Sequence, residues 1–301
     1  GAVLDGVELQ NLSMEGSVFS EALGDSAQLK GCRLQRADFK GATLRNANFH
    51  GALLSEAVFD GAGEPLDSVR IRVGGLPQKP KPPLNYMLVF SVEGLINEYV
   101  EPCVAIRDGK LVDDVEPLID AEEIEFPPPF GKLEAFNTSG GTSTLPHTLL
   151  GKVRELDYKT IRYPGHADKM RTILELGLMD STPVDTGGLR VPPRSVLETV
   201  ISRNVPKGAE DAVLVRVTVD GKKDGRKARA VYEMVDYRDK ETGLTAMMRG
   251  TALPSSIICL MMARGETPPG AVPQELAIDG DRFIEEVQAR GMPLEVRFET
   301  E

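Results

Sequence analysis

From Leu4 to Phe59 a large apolar residue returns at every fifth position, with a single gap at Gly24. The series runs Leu4, Leu9, Met14 and Phe19, then Leu29, Leu34, Phe39, Leu44, Phe49, Leu54 and Phe59. Two residues ahead of each stands a mostly small one, most regularly Ala22, Ala27, Cys32, Ala37, Ala42, Ala47, Ala52 and Ala57. Neither a helix nor a strand keeps such positions on one face, and helical spacing would scatter them around the whole circumference. If each five-residue step makes one short side of a coil, the large residue fills the centre and the small one fits the corner. The residues between, such as Lys40, Arg45, Asn46 and Glu56, then face water. Coils stacked about 4.8 Å apart satisfy one another's backbone groups. The missing large residue at Gly24 predicts a kink or bulge in that ladder.

The cleanest units, "ADFKG" and "ANFHG", resemble the pentapeptide-repeat family, whose motif is A(D/N)LXX. The resemblance implies a right-handed, quadrilateral β-helix with four pentapeptides per coil. Residues 1–63 would form it as a domain of its own, in about three coils and about 15 Å tall. Some members of that family are acidic rods that imitate DNA. Here eight acids stand against five bases in residues 1–62, so charge lends mimicry little support, and a scaffold or interaction element is the plainer reading.

The whole chain carries a net charge of −11, which excludes a general binder of nucleic-acid phosphates, since those need clustered Lys and Arg. The basic "GKKDGRKAR", Gly221 to Arg229, reads as a solvated hairpin tip around its turn residues. Cys32, Cys103 and Cys259 are odd in number and far apart, and His50, His147 and His166 are equally scattered. That spacing suits a reducing compartment and offers no metal site. With no run of eighteen apolar residues and no signal pattern, a cytoplasmic protein with no membrane partner is expected. A start at Gly1 leaves open a fragment, a processed product or an artificial joining of two pieces.

From Leu66 the period is gone. "SVRIRVGGLP" alternates Val69, Ile71 and Val73 and predicts a half-buried strand that ends in a Gly-Gly turn. "PQKPKPP", Pro77 to Pro83, reads as a stiff extended connector, and "LNYMLVFS" as a strand or the start of a buried helix. Two strands flank the proline run of "EIEFPPPFGKLEAFN". Helices are predicted for "ADKMRTILELG", for Pro193 to Asn204 with Val196, Leu197, Val200 and Ile201 on one face, for Leu253 to Gly265, and for about Asp281 to Arg290. "AVLVRVTVDG" and "RKARAVYEMVDYRD" form an antiparallel hairpin. Met247, Met248, Met261 and Met262 sit at apolar helical positions and read as core filling.

Six stretches in this second part resemble the C-terminal region of the saccharopine dehydrogenase and lysine 6-dehydrogenase family. They are "VRIRVGGLP", "VFSVEGLINEY", "FGKLEAFNTSGGTSTLP", "KTIRYPGHADKM", "DYRDKETGLTAMMRGTALPSSI" and "MMARGETPPGAVPQE". The likeness runs from about Leu66 to Leu294 and implies an α/β (α+β) substrate-binding and dimerisation domain over residues 64–301. The activity implied is that of an NAD- or NADP-dependent oxidoreductase of lysine metabolism, acting on a lysine- or saccharopine-like amino acid through an imine as a homodimer. Family members begin with a dinucleotide-binding domain, and this chain has no GxGxxG and carries the repeat in that place, so no cofactor site is found in it. The expectation is therefore a substrate-binding part that is inactive alone; the alternative is a non-enzymatic scaffold built on the repeat.

An amino-acid dehydrogenase needs a cationic clamp for the α-carboxylate and a proton acceptor near the reacting nitrogen. "RYPGH" supplies the types: Arg162 for the carboxylate, Tyr163 and His166 as catalytic proton relays, and Pro164-Gly165 as the turn that brings His166 back. The competing reading pairs Arg162 with a structural acid and makes His166 a helix cap. By resemblance, "NTSGGTS" is the substrate loop, so Asn137, Thr138 and Ser139 would contact the amino acid. Related lysine dehydrogenases look like "YTDGL" at that point, so Ser139 stands where they carry an acid. The resemblance also implies that the helix after "GTALPSSI" would have faced the missing domain, leaving Ile257, Leu260 and Met261 to a new partner or to water.

Overall fold

The structure is a computed structural model that describes residues 2–39, 42–44, 47–49, 66–208, 210–223 and 226–300. In the first part, parallel bridges join Val3 to Leu23, Glu8 to Gln28, Ser13 to Arg33, Val18 to Asp38, Leu23 to Thr43 and Gln28 to Asn48. Each residue thus meets the one twenty positions on, which is four pentapeptides per turn of the chain. Corners close by a bond from each small residue back to the large one three before it, as in Ala22 N to Phe19 O (3.0 Å) and Ala37 N to Leu34 O (3.0 Å). Ala22, Ala27, Leu29, Cys32, Leu34, Ala37, Phe39 and Ala42 form the buried interior. The rings of Phe19 and Phe39 stack with centroids 4.8 Å apart, the spacing of neighbouring coils.

Gly24 does not break this ladder. Its N–H reaches Thr43 O at 2.7 Å, and a Cβ placed on it would lie 3.0 Å from Leu44 Cδ2 and 3.8 Å from Leu4 Cβ. The glycine leaves space that the leucines above and below fill, so the expected kink is absent. Lys40, Arg45, Asn46 and Glu56, expected to face water, lie outside the described residues, as does the junction after Gly63.

The second part opens with β1 (Leu66–Pro77), α1 (Val92–Val100), β2 (Cys103–Arg107), β3 (Lys110–Val115), β4 (Glu122–Phe126) and β5 (Gly131–Asn137). Next come α2 (Leu145–Thr148), β6 (Val153–Arg162), α3 (His166–Glu175), β7 (Val184–Asp185), β8 (Arg190–Val191) and α4 (Pro193–Asn204). It closes with β9 (Asp211–Lys223), β10 (Arg226–Tyr237), α5 (Ala246–Ala263), α6 (Gln274–Ala277), α7 (Gly280–Ala289) and β11 (Leu294–Thr300). One mixed sheet runs β11-β10-β9-β1-β6-β2-β3, with the β4–β5 hairpin joined through β5 to β6. Only β1 and β6 pair in parallel among these described strands.

The Gly-Gly of β1 is not a turn; the strand continues through it to Pro77. A Cβ on Gly74 would sit 2.6 Å from Ile161 O, and one on Gly75 would sit 2.5 Å from Met247 Cε. The glycines therefore serve close approach of β6 and α5, which their lack of a side chain permits. "LNYMLVFS" is neither strand nor helix: Leu88 makes one bridge to Lys207, and α1 starts at Val92 behind the Ser91 cap. The β9–β10 hairpin pairs as expected, while its turn at residues 224–225 lies outside the described residues.

Helix α4 has the expected bounds, but only Leu197 and Ile201 are buried, Val196 and Val200 being exposed. Helix α5 begins seven residues earlier than Leu253, capped by Thr245 and by the Asp211 carboxylate, and Pro254 falls inside it. Ile257 and Met261 do not face outward: they are buried against Val213, Met234 and Val287, and the exposed apolar residues are Met248, Leu260 and Met262. By length and composition α5 would cross a membrane, yet its Arg249 is bonded to Asp236 of β10, which ties it to the sheet.

Candidate functional site

Two faces of the sheet meet at the end of β6. Ile161 and Tyr163 lie with Leu76, Phe126, Phe130, Leu133 and Ala135 in one core, whereas Arg162 points to the opposite side, where α1 and α3 pack. The positive φ of Gly165 (+81°) turns the chain directly into α3. The N-terminus of that helix is closed by Glu134 of β5, whose two oxygens accept from Gly165 N and Ala167 N, both at 2.8 Å. The helix cap is thus Glu134 and not His166.

His166 lies 1% exposed in the core. Its Nδ1 is 3.1 Å from Leu84 O, and a carbonyl only accepts, so Nδ1 carries the proton and Nε2 accepts the Tyr99 hydroxyl at 3.0 Å. Burial, reinforced by the Arg162 charge, pushes the imidazole down to about 3, leaving it neutral near pH 7. Arg162 is 3% exposed. Its Nη1 donates to Ile161 O at 2.9 Å, its Nη2 stands 3.8 Å from Glu98 Oε2, its carbon lies 4.9 Å over the Tyr86 ring, and its Nε has no partner. Burial opposes this charge, but surrounding Tyr99, Tyr86, Glu98 and Tyr158 outweigh it, so the guanidinium stays protonated. Burial raises the Glu98 carboxyl, with Arg162 pulling the other way, and burial also raises Tyr99, Tyr86 and Tyr158.

The loop after β5 forms a wall beside this group. Asn137 donates from Nδ2 to Asp120 (3.1 Å), Thr138 and Thr160 share a hydroxyl bond of 2.6 Å, and Ser139 Oγ donates to Asn97 O (3.3 Å) while its N–H reaches Glu98 O (3.0 Å). A Cβ on Gly141 would meet the Tyr158 ring at 2.3 Å, so the glycine lets the loop lie flat on that ring. The structure brings Arg162, His166, Thr138 and Ser139 to one side through β6 and α1. Asn137, the last residue of β5, leads into the same loop and is anchored toward Asp120. Tyr163 is apart: its hydroxyl donates to Pro77 O at 3.0 Å, and burial, then Tyr237, push it up to about 12.

Sequence reasoning missed Glu98 and Tyr99, the nearest carboxylate and the hydroxyl partner. Both lie in the quoted "VFSVEGLINEY", where Leu95, Ile96 and Tyr99 share the buried side of α1. A tyrosine on an apolar helical face beside a carboxylate was the available signal.

The described residues do not fit a dinucleotide. The parallel strands β1 and β6 are separated by α1, α2 and four strands, not by one crossover helix. The N-termini of α3 and α5, which would seat a pyrophosphate, already hold the carboxylates of Glu134 and Asp211. Among the described residues no group of His, Cys, Asp and Glu is arranged to hold a metal.

A mixed sheet carrying helices around a buried arginine defines an α/β domain, and comparison with known proteins specifies which. Residues 52–292 match the saccharopine dehydrogenase C-terminal domain, and residues 25–61 match pentapeptide repeats in eight copies. The chain belongs to the saccharopine dehydrogenase C-terminal domain family. Its fold is similar to that of apo histidine-tagged saccharopine dehydrogenase (L-Glu forming) from Saccharomyces cerevisiae, with a TM-score of 0.60 and 17% identity over 78% of this chain and 67% of that one.

Proposed function

We propose that residues 64–301 are the substrate-binding part of an amino-acid oxidoreductase of the saccharopine and lysine dehydrogenase kind, and that residues 1–63 form a separate right-handed quadrilateral β-helix. The observation that carries the reading is Arg162. A buried guanidinium with an idle Nε and its nearest carboxylate at 3.8 Å is short of counter-charge, and the α-carboxylate of an amino acid supplies it. Thr138 and Ser139 form the wall of the site, with Asn137 holding the loop to Asp120. His166 is a positioning residue that fixes Tyr99. Glu98, partly exposed and with its carboxyl raised, serves as the acceptor for the substrate ammonium or its proton. Tyr163 has a structural duty toward Pro77 and no part in the chemistry.

The nicotinamide cofactor, NAD or NADP, belongs to a domain outside the described residues, and the chain alone is inactive. Exposed Met248, Leu260 and Met262 on α5 support a homodimer. Calorimetry with lysine and with saccharopine tests the site. Binding of one of them, weakened at least about tenfold by Arg162→Gln and by Glu98→Gln, is the expected result. Absence of binding by the unaltered chain, with its circular dichroism native, overturns it.

A further inference from the structure

The proline-rich "PQKPKPP" has no duty in the amino-acid site, yet the fold holds it firmly. Its start is fixed by the Tyr163 hydroxyl on Pro77 O (3.0 Å) and by Gln78, whose N–H reaches Glu210 O (3.1 Å) and whose Nε2 reaches Asp211 O (3.0 Å). Its end is fixed by Lys169 Nζ on Pro83 O (2.8 Å) and by Asn85 N on Lys81 O (3.0 Å). A second loop joins the chain just beyond it through Leu88 N to Pro206 O (2.9 Å). With four of its seven residues proline, the segment presents Lys79 and Lys81 from a backbone that has little freedom to lose.

Between the two loops is a cavity of about 370 Å³ lined by Gln78, Lys79, Lys81, Tyr86, Lys207 and Glu210, with Pro77, Met87 and Pro206 beneath. Neither Lys79 nor Lys81 has an ion-pair partner among the described residues, and Lys207 meets only the Ser202 hydroxyl, at 3.1 Å. The one carboxylate of the lining, Glu210, is bonded to Arg238 at 2.9 Å. Tyr86 is 1% exposed and its phenol oxygen has no hydrogen-bond partner. Three lysines thus line one cavity whose one carboxylate is committed to Arg238, in a chain whose net charge is −11. Like charges so placed repel unless an anion joins them.

We propose that this cavity binds a small anion of two or more charges bearing phosphate or carboxylate groups, held by Lys79, Lys81 and Lys207. The cavity volume lies at the lower end of the usual range for small-molecule sites. It adjoins the amino-acid site through Tyr86, whose other face carries the Arg162 guanidinium, but the proposal does not depend on that site's role.

Calorimetry of the full chain at low salt with pyrophosphate and, separately, with citrate tests it. A saturable one-to-one isotherm is expected, weakened at least about tenfold in Lys81→Gln/Lys207→Gln and weakened by added salt. Lys152→Gln, outside the cavity, leaves it unchanged. Binding of pyrophosphate alone assigns a phosphate ligand, citrate alone a polycarboxylate, and both a site that reads charge. Binding of neither anion, or equal binding by the double lysine variant, overturns the proposal.

Discussion

In the repeat, the ladder partner of a residue stands twenty positions away along the chain, and inward residues meet inward ones: Phe19 stacks on Phe39. In the family domain the distances follow no rule. Arg72 of β1 meets Glu122 and Asp157, which lie 50 and 85 positions away, and Lys159, its neighbour in the β1–β6 register, shares Glu122. A periodic structure repeats one local solution, so a defect is met by the coils on either side. A mixed sheet joins unrelated segments, so each close contact is a separate requirement.

Substitutions sharpen this contrast, beginning with the repeat. Phe39→Ala empties a fully buried position and is expected to cost roughly 3–5 kcal/mol. Native-state hydrogen exchange should show the loss confined to the coils around Phe39, with β1 and β6 amides unchanged; loss of protection in both parts would mean that the regions unfold as one. Gly74→Ala comes next, at about 1–3 kcal/mol by denaturant titration, because the new Cβ meets the Ile161 backbone, which cannot swing aside. Gly24→Ala in the repeat should cost well under about 1 kcal/mol, since the atom it approaches is the end of the Leu44 side chain. A larger loss at Gly24 than at Gly74 would reverse the comparison.

The pH dependence separates the regions further. The His166 imidazole is held from its ordinary 6.5 down to about 3, so between those values the unfolded chain binds a proton that the folded chain does not. Domain stability is therefore full above pH 6.5 and falls as pH drops, by up to about 1.4 kcal/mol per unit. His166→Gln should flatten that slope between pH 6.5 and 4.5, measured by denaturant midpoints, and an unaltered slope would remove His166 as its source. Glu122 and Asp157 also lose stabilisation with acid, below the usual carboxylate range, since burial opposes their charge and Arg72 more than offsets it. Glu134→Gln is expected to cost about 1 kcal/mol through a weakened α3 cap, with amino-acid affinity little changed.

Much of this arrangement was legible in advance. The strands around the proline run, helix α4 and the β9–β10 hairpin follow from local alternation and caps, which act over a few residues. The Gly-Gly of β1 and the first seven residues of α5 were misread for a common reason. Glycines signal a turn unless a neighbour needs their space, and Ile161 and Met247 are not neighbours in the chain. "RYPGH" offered Arg162, Tyr163 and His166 as candidates by residue type, but alternation across the sheet sent Tyr163 into the other core. Glu98 and Tyr99 arrive from a helix some sixty residues earlier and carried no chemical motif.

The sequence by itself determined which side chains of the repeat turn inward, because one short-range pattern specifies them, and four units per coil is what the family resemblance implied. The sequence also determined the family of the second part through ordered motifs. Only the tertiary structure decided that Gly24 keeps the ladder intact and that Gly74 and Gly75 are points of contact. It likewise decided that His166 is a neutral, doubly bonded core residue and that Arg162 lies buried with little counter-charge. Burial and close approach are properties of what packs against a residue, and in a mixed sheet that comes from segments the local sequence does not name.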